Sequence, residues 1–421
     1  MIDEDILLAL STRRDWLMES PLGPVLPSYI TALRHRQYAD QTIAAYLRAI
    51  AHVAVWMSAE GISLQNLDEA VLPCFLKQHL PLCTCPIPRH RNHADLHAAW
   101  NHLLKLLCDD HWVEAQVGEP ETPVSAELTR FRQYLADCCG LAVTTCDTRV
   151  KHVQVFLSRH FGTSAVDLAK LTPAQIETFV MSYTGRWTPA SLHVLRDSLS
   201  SYFRFKALSG EVADACRVAL PRPAVWSYTA LPKVLSDAQL ATFLSAFDRS
   251  TSIGLRDYAI ARCLVDLGLR GQEVADLALD DLDWHLGSVT IRGGKAKRIQ
   301  VLPMPPQTGE AVVQYLRRGR PKTLLRRLFV RHRAPAEAPL STAAIRNVAN
   351  RAFQRCGLDE QFHNTHVLRR SLASRLQVAG SSAKAIADVL RHRSLDTAAR
   401  YLCVDLERLR SVALPWPGRS Q

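Results

Sequence analysis

Two proline-rich stretches, VGEPETPVS at residues 117–125 and LPRPAVWSYTALPKV at residues 220–234, cut the chain into three segments. Proline lacks the N–H that a helix interior needs and holds the residue before it in extended conformations, so neither stretch continues a helix and both read as linkers. With 421 residues the chain has room for two or three domains of ordinary size, each able to bury a core. The second stretch runs into Leu235-Ser236-Asp237-Ala238-Gln239, where Ser236 and Gln239 have capping-box spacing, and a new helix and a new domain are expected to begin there.

The two segments before that point share a hydrophobic pattern. In the first, Ile50, Val53 and Trp56 stand at helical spacing and are followed by Leu67, Phe75-Leu76, Leu96, Leu103 and Leu104. In the second, Val150, Val153 and Phe156 are followed by Leu171, Phe179-Val180, Leu195, Tyr202 and Phe203. The offsets stay near 100 residues, which predicts a duplicated unit of about four helices. Residues 1–116 are thus expected to form a helical N-terminal domain that duplicates the next, residues 117–219 a second helical domain, and residues 220–234 the linker.

The third region, 235–421, reads as helix over Gln239–Asp248, Ile253–Leu267, Gly271–Leu277, Thr308–Arg317, Thr342–Cys356, His366–Gln377 and Ala383–Val389. One part differs: Ser288–Arg292 and Arg298–Leu302 are β-branched, alternating runs around Gly293-Gly294-Lys295, the pattern of a β-hairpin. The fold class expected is mainly α, with helical N-terminal bundle domains and a mixed, mostly helical C-terminal domain carrying a small antiparallel β-sheet.

Charge separates these regions. Residues 1–232 carry 21 Lys and Arg against 23 Asp and Glu, whereas residues 233–421 carry 30 against 17, so the net charge of +11 comes entirely from the third region. A surface that basic concentrates polyanions, and nucleic acid is the usual one, although a ribosomal or membrane-surface partner has the same chemistry. A membrane span is not expected, because the most apolar stretch, Ile43 to Met57, is broken by Arg48 and His52. The acidic opening MIDEDILLAL is unlike a secretory signal, and eleven scattered cysteines suit a reducing compartment, so the cytoplasm is the expected location.

Several residues of the basic region could carry chemistry, and each has an ordinary explanation alone. Arg270 and Glu273 could form a solvated i,i+3 pair, Lys295 could be a soluble turn residue, and Tyr401 a core residue. His366 and Arg369 share a helix face, as many His-x-x-Arg pairs do by chance, and His392 follows an apolar helix. Their order changes this reading. Arg-x-x-Glu after an apolar helix, a lysine on a hairpin 25 residues on, His-x-x-Arg, a histidine 23 residues beyond that arginine and a tyrosine nine residues later make up one pattern. In the segments GLRGQEVADL, GGKAKRIQVLP, NTHVLRRSLAS and VLRHRSLDTAARYLCVD, it resembles the tyrosine recombinases, the phage-integrase and Xer-type site-specific DNA recombinases. Arg391 stands where that family usually has glycine, and Arg370 where histidine is common.

The resemblance implies a catalytic domain over 235–421 and a SAM-like, core-binding DNA-binding domain over 117–219. It implies that Arg270, Lys295, His366, Arg369 and His392 activate a phosphodiester and that Tyr401 attacks it. The residue types suit the task. Guanidiniums bind non-bridging phosphate oxygens in bidentate fashion, and His392 adds a hydrogen bond. A phenol with an ordinary pKa of about 10 needs a base, for which His366 is the candidate. The 5′-hydroxyl leaving group needs an acid, and Lys295, eight residues before Pro303, is preferred over Lys297. The product is a 3′-phosphotyrosyl link that stores the broken bond's energy, so no cofactor, ATP or metal is required. The implied partners are double-stranded DNA with specific recombination sites, a homo- or hetero-tetramer on that DNA, and accessory recombinases. A type IB topoisomerase shares the pocket and is the alternative enzyme; a non-catalytic DNA-binding or architectural protein is the alternative outside enzymes.

Cysteines raise one further question. Cys83-Thr-Cys85 followed by His90 and His93 brings four potential zinc ligands within eleven residues. C-x-C is tighter than usual zinc spacing and Pro86 and Pro88 suggest an ordinary loop, so no metal is expected. The other cysteines, including Cys138-Cys139, read as core residues.

Overall fold

The computed structural model describes residues 13–68, 70–85, 90–110, 112, 122–210, 213–224, 233–292, 299–335 and 338–391. The chain divides into two compact units, one formed by Glu114–Thr229 and the other by the residues on either side of it.

The N-terminal part of the larger unit comprises α1 (Arg13–Met18), α2 (Leu26–His35), α3 (Asp40–Glu60), α4 (Val71–Cys74, continued by a π turn over Phe75–His79) and α5 (His93–Asp109). Gly61 in the left-handed conformation (φ 68°) ends α3, and the Asn92 side chain caps α5 by accepting from the Ala94 N–H. Among the described residues α3 alone is long and apolar enough to cross a membrane by length and composition. Its Ile43, Leu47, Ile50, Val53 and Trp56 are buried in a core shared with Tyr29, Phe75, Trp100 and Leu103, as in the central helix of a globular bundle.

The second unit comprises α6 (Pro123–Gln133, with a π turn over Tyr134–Cys138), α7 (Val143–Phe161), α8 (Pro173–Met181), α9 (Pro189–Leu208) and α10 (Asp214–Val218). Three of these start the same way: Thr122, Thr172 and Thr188 each accept a backbone N–H of the first turn and are followed by proline at the first helical position. Phe131, Phe156, Phe179, Tyr202 and Phe203 fill the core. Buried Glu127 accepts from Lys206 Nζ at 2.8 Å and Tyr202 Oη at 3.0 Å, so its charge is compensated where water is excluded. Cys138 and Cys139 are exposed, contrary to the core reading, because the inward stripe of α6 runs through Val124, Leu128, Phe131 and Leu135 and leaves them on the outer side.

The element order of α2 to α5 repeats in α6 to α9. In each a long helix, α3 or α7, leads to a 3₁₀ turn, Leu64–Asn66 or Leu168–Lys170, then to a short helix containing buried Phe75 or Phe179, then to a second long helix.

The C-terminal part comprises α11 (Asp237–Ser245), α12 (Ser252–Asp266), α13 (Gly271–Asp276), strands β1 (Leu282–Asp283), β2 (Ser288–Ile291) and β3 (Gln300–Pro303), then α14 (Pro306–Gln314), α15 (Thr342–Arg355), α16 (His366–Val378) and α17 (Ala383–Val389). The Ser236–Gln239 capping box is formed at the start of α11. The strands are antiparallel in the order β1-β2-β3, with Val289 opposite Leu302 and Thr290 opposite Val301; β1 is an addition to the hairpin read from sequence. Helix α12 is buried nearly all round, through Leu255, Ala259, Ile260, Cys263, Leu264 and Val265, and packs against α14, α15 and α16. It is the fixed post from which the next residues leave.

Candidate active site

The site is built on the end of α12. Gly268, just beyond it, has φ +55°, and a Cβ there would lie 2.8 Å from Leu372 Cδ2 and 2.9 Å from Leu390 Cδ2, so backbone and packing both demand glycine. The turn aims the Gly268 carbonyl at two guanidiniums: it accepts from Arg369 Nη1 and, at 3.0 Å, from Arg391 Nη2. A carbonyl left without a partner at a helix C-terminus is a natural acceptor for cations.

Two residues on, Arg270 caps α13. Its backbone N–H donates to Glu273 Oε2 at 2.7 Å, and its Nη1 donates to Glu273 Oε1 at 2.6 Å. One carboxylate thereby fixes both ends of Arg270 in a capping-box arrangement. Glu273 is 5% exposed, which excludes the solvated-pair reading of Arg-x-x-Glu. The Arg270 side chain stays 38% exposed and can reach an anion outside.

Arg391 closes the network. Its Nη2 donates to Glu273 Oε2 at 2.9 Å, and its own carbonyl accepts from Arg270 Nη2 at 3.2 Å. Its backbone is left-handed, φ +55°. Burial would push the Glu273 carboxyl up, but Arg391, the Arg270 N–H and the Arg270 guanidinium together hold it below the usual carboxylate range.

His366 and Arg369 come from one turn of α16, with His366 in the first helical position and Arg369 buried beneath it. The His366 ring presents much of its surface to solvent, yet its pKa is lowered, first by the protein packed around it and then by Arg370, Arg369 and Arg270. Its neutral form is favoured among these cations. Arg270 and Arg369 thus lie near enough to His366 to act on its charge. Lys295, His392 and Tyr401 lie outside the described residues.

A family model described as the phage integrase family matches residues 233–408. The protein y4rA of Sinorhizobium fredii, whose name is that of an integrase/recombinase, is 31% identical over 410 residues, covering 96% of this chain and 98% of its own length. The chain belongs to the phage integrase family of tyrosine recombinases. Tyrosine recombinase XerA of Thermococcus kodakarensis is 30% identical to this recombinase over 222 residues, 53% of this chain and 73% of its own. Among solved structures, XerH bound to a palindromic difH substrate matches with a TM-score of 0.57 at 18% identity, covering 70% of this chain and 97% of that one. A lambda integrase dimer bound to a core site matches at 0.52 and 18%, covering 66% and 94%. At such identities these neighbours establish the fold. As a tyrosine recombinase the chain cleaves and rejoins DNA through a phosphotyrosyl intermediate, with neither ATP nor a metal in the reaction.

Two members of the recombinase network were not assigned from sequence. Glu273 was visible only as the partner of Arg270, and Arg391 only as a departure from the glycine usual at its place. The left-handed backbone at Arg391 supplies the physical reason glycine suits that position. This chain keeps the conformation and uses the side chain to hold Glu273.

Proposed function

We propose that this recombinase performs site-specific integration, excision or transposition of DNA, with Arg270 and Arg369 binding the non-bridging oxygens of the scissile phosphate. The reading rests on one observation: Arg270, Arg369 and Arg391 are tied by Gly268 and Glu273 into a single network beside His366. Fixed donors aimed at developing negative charge are worth far more than mobile ones, because no reorganisation is needed as the reaction proceeds. His366, kept neutral by the protein packed around it and by its cationic neighbours, takes the phenolic proton of Tyr401; the phenolate oxygen attacks phosphorus, and the P–O bond to the 5′ oxygen breaks. Lys295 protonates that oxygen, and His392 donates a hydrogen bond to the phosphate.

Residues 1–116 act in this reading as a second copy of the helical core-binding unit, supported by the repeated element order. With 9 Lys and Arg against 13 Asp and Glu over residues 1–115, this copy is suited to protomer contacts or accessory-site selection rather than to extensive phosphate binding. Recombination joins two sites, so four protomers, identical or with accessory recombinases, assemble on the DNA, in the bacterial cytoplasm.

The clamp is tested by Arg369→Lys, which preserves charge and removes the planar fork. Cleavage of a nicked suicide substrate should fall roughly 100-fold or more while DNA binding is retained. Cleavage at the wild-type rate would reject the clamp.

A further inference from the structure

Outside the recombination site, His52, His79, Cys83 and Cys85 place one ligand atom each within 4.8 Å of one another. We infer that these four side chains form a structural zinc site in the N-terminal helical unit. His52 comes from the middle of α3, His79 from the end of the π turn that continues α4, and the two cysteines from the segment that follows. His52 Nε2 is 3.1 Å from Cys83 Sγ, and His79 Nε2 is 3.3 Å from Cys85 Sγ. With Zn–N of about 2.0 to 2.1 Å and Zn–S of about 2.3 Å, the edges of a tetrahedral Cys₂His₂ site are roughly 3.3 to 3.8 Å. The two His–Cys distances lie at or just below the short end of that range and the whole set within 4.8 Å, so an ion would spread those two pairs by a few tenths of an ångström and draw the remaining pairs together.

The surroundings favour coordination over a chance cluster. His52 Nδ1 lies 2.7 Å from the His90 carbonyl oxygen, which only accepts, so the proton sits on Nδ1 and the Nε2 lone pair points at the cysteines. A carbonyl fixing the far nitrogen of a histidine is the usual support for a metal ligand. Phe75 lies edge-on to His52 at 5.1 Å and stacks on His79 at 5.2 Å, while Trp56 lies 5.9 Å from His79, so both imidazoles are held in place by buried apolar rings. Two thiolates and two imidazoles in tetrahedral array select zinc. With all four positions supplied by the protein no place is left for substrate, so the ion ties the segment after α4 to α3 and takes no part in strand cleavage.

The set differs from the one that sequence spacing brings together. The His90 ring pairs with Asp95 at 3.2 Å and contributes only its backbone to the cluster, and His93 opens α5. This difference makes the site testable. The full-length protein, purified under reducing conditions, should contain about one zinc per chain. After exchange into cobalt it should show tetrahedral visible bands and a thiolate-to-cobalt charge-transfer band. Cys83→Ser and His52→Ala should each lose the metal, whereas His90→Ala, His93→Ala and Cys108→Ser should retain it. Since the first two variants could fail to fold, alkylation of the wild-type protein provides an independent reading. Cys83 and Cys85 should be protected with zinc bound and modified once a chelator has removed it, with Cys108 labelled equally in both states. A wild-type protein that binds neither zinc nor cobalt, a cobalt complex lacking the thiolate band, or metal loss in His93→Ala with retention in His52→Ala would overturn the assignment.

Discussion

Glu273 Oε2 accepts from Arg391 Nη2 at 2.9 Å while also accepting the backbone N–H of Arg270 at 2.7 Å. One buried oxygen therefore connects the last described residue of the site to the start of α13. Because Glu273 Oε1 holds the Arg270 guanidinium, the position of that guanidinium depends on Arg391, 121 residues away in sequence.

Glu273→Gln tests this dependence. The amide keeps the size of the side chain but removes the charge facing two arginines, leaving the buried Arg391 guanidinium without its counter-ion. Unfolding experiments should show a loss of about 3 kcal/mol. Single-turnover cleavage should fall roughly 10- to 100-fold, less than removal of an arginine that contacts the transition state. Unchanged cleavage would mean that Arg270 is positioned by something other than Glu273.

Arg391 combines a backbone conformation suited to glycine with a side chain that holds Glu273, and two substitutions separate these roles. Arg391→Gly relieves the left-handed backbone but gives up the ion pair, and Arg391→Ala gives up the pair while keeping the backbone cost. Both should lose cleavage activity to a similar extent. In denaturant titrations the glycine variant should be more stable than the alanine variant by about 1 kcal/mol. Equal stability would show that the backbone at 391 carries no strain.

With His366 as the proposed base, its lowered pKa would set the acid side of the reaction. Its neutral form persists below the ordinary histidine value of about 6.5, so the acid limb of cleavage should have its midpoint below that value. Arg370→Ala removes one of the neighbours that lower it and should move the midpoint upward. The sign for stability is the same: the unfolded chain takes up this proton first, so the His366 contribution is intact above about 6.5 and is lost as pH falls towards the folded-state value. Rapid-quench cleavage across pH, with both proteins at saturating DNA, measures the midpoints, and an unshifted limb in Arg370→Ala would remove that arginine from the account.

Legibility in the sequence followed the range of the interactions involved. The Ser236–Gln239 capping box and the β2–β3 hairpin depend on neighbours a few residues apart, and their signals were local. The pairing of Arg270 with Glu273 was visible too, but the burial of Glu273 and its second partner, Arg391, 118 residues on, were not. Arg391 looked like a flaw because the sign of φ cannot be read from the letter R. The Cys₂His₂ cluster was obscured by spacing. Cys83 and Cys85 drew attention to His90 and His93 next to them, whereas packing chose His52, 31 residues upstream on another helix.

The central claim is that a phosphotyrosyl link forms at Tyr401, within the network of Arg270, Arg369 and His366. The direct measurement is covalent adduct formation by wild-type protein and Tyr401→Phe on a nicked suicide substrate containing the recombination site, with binding of the same DNA measured in parallel. The account predicts that the phenylalanine variant binds DNA as the wild type does and forms no adduct. Undiminished adduct formation by that variant would contradict it.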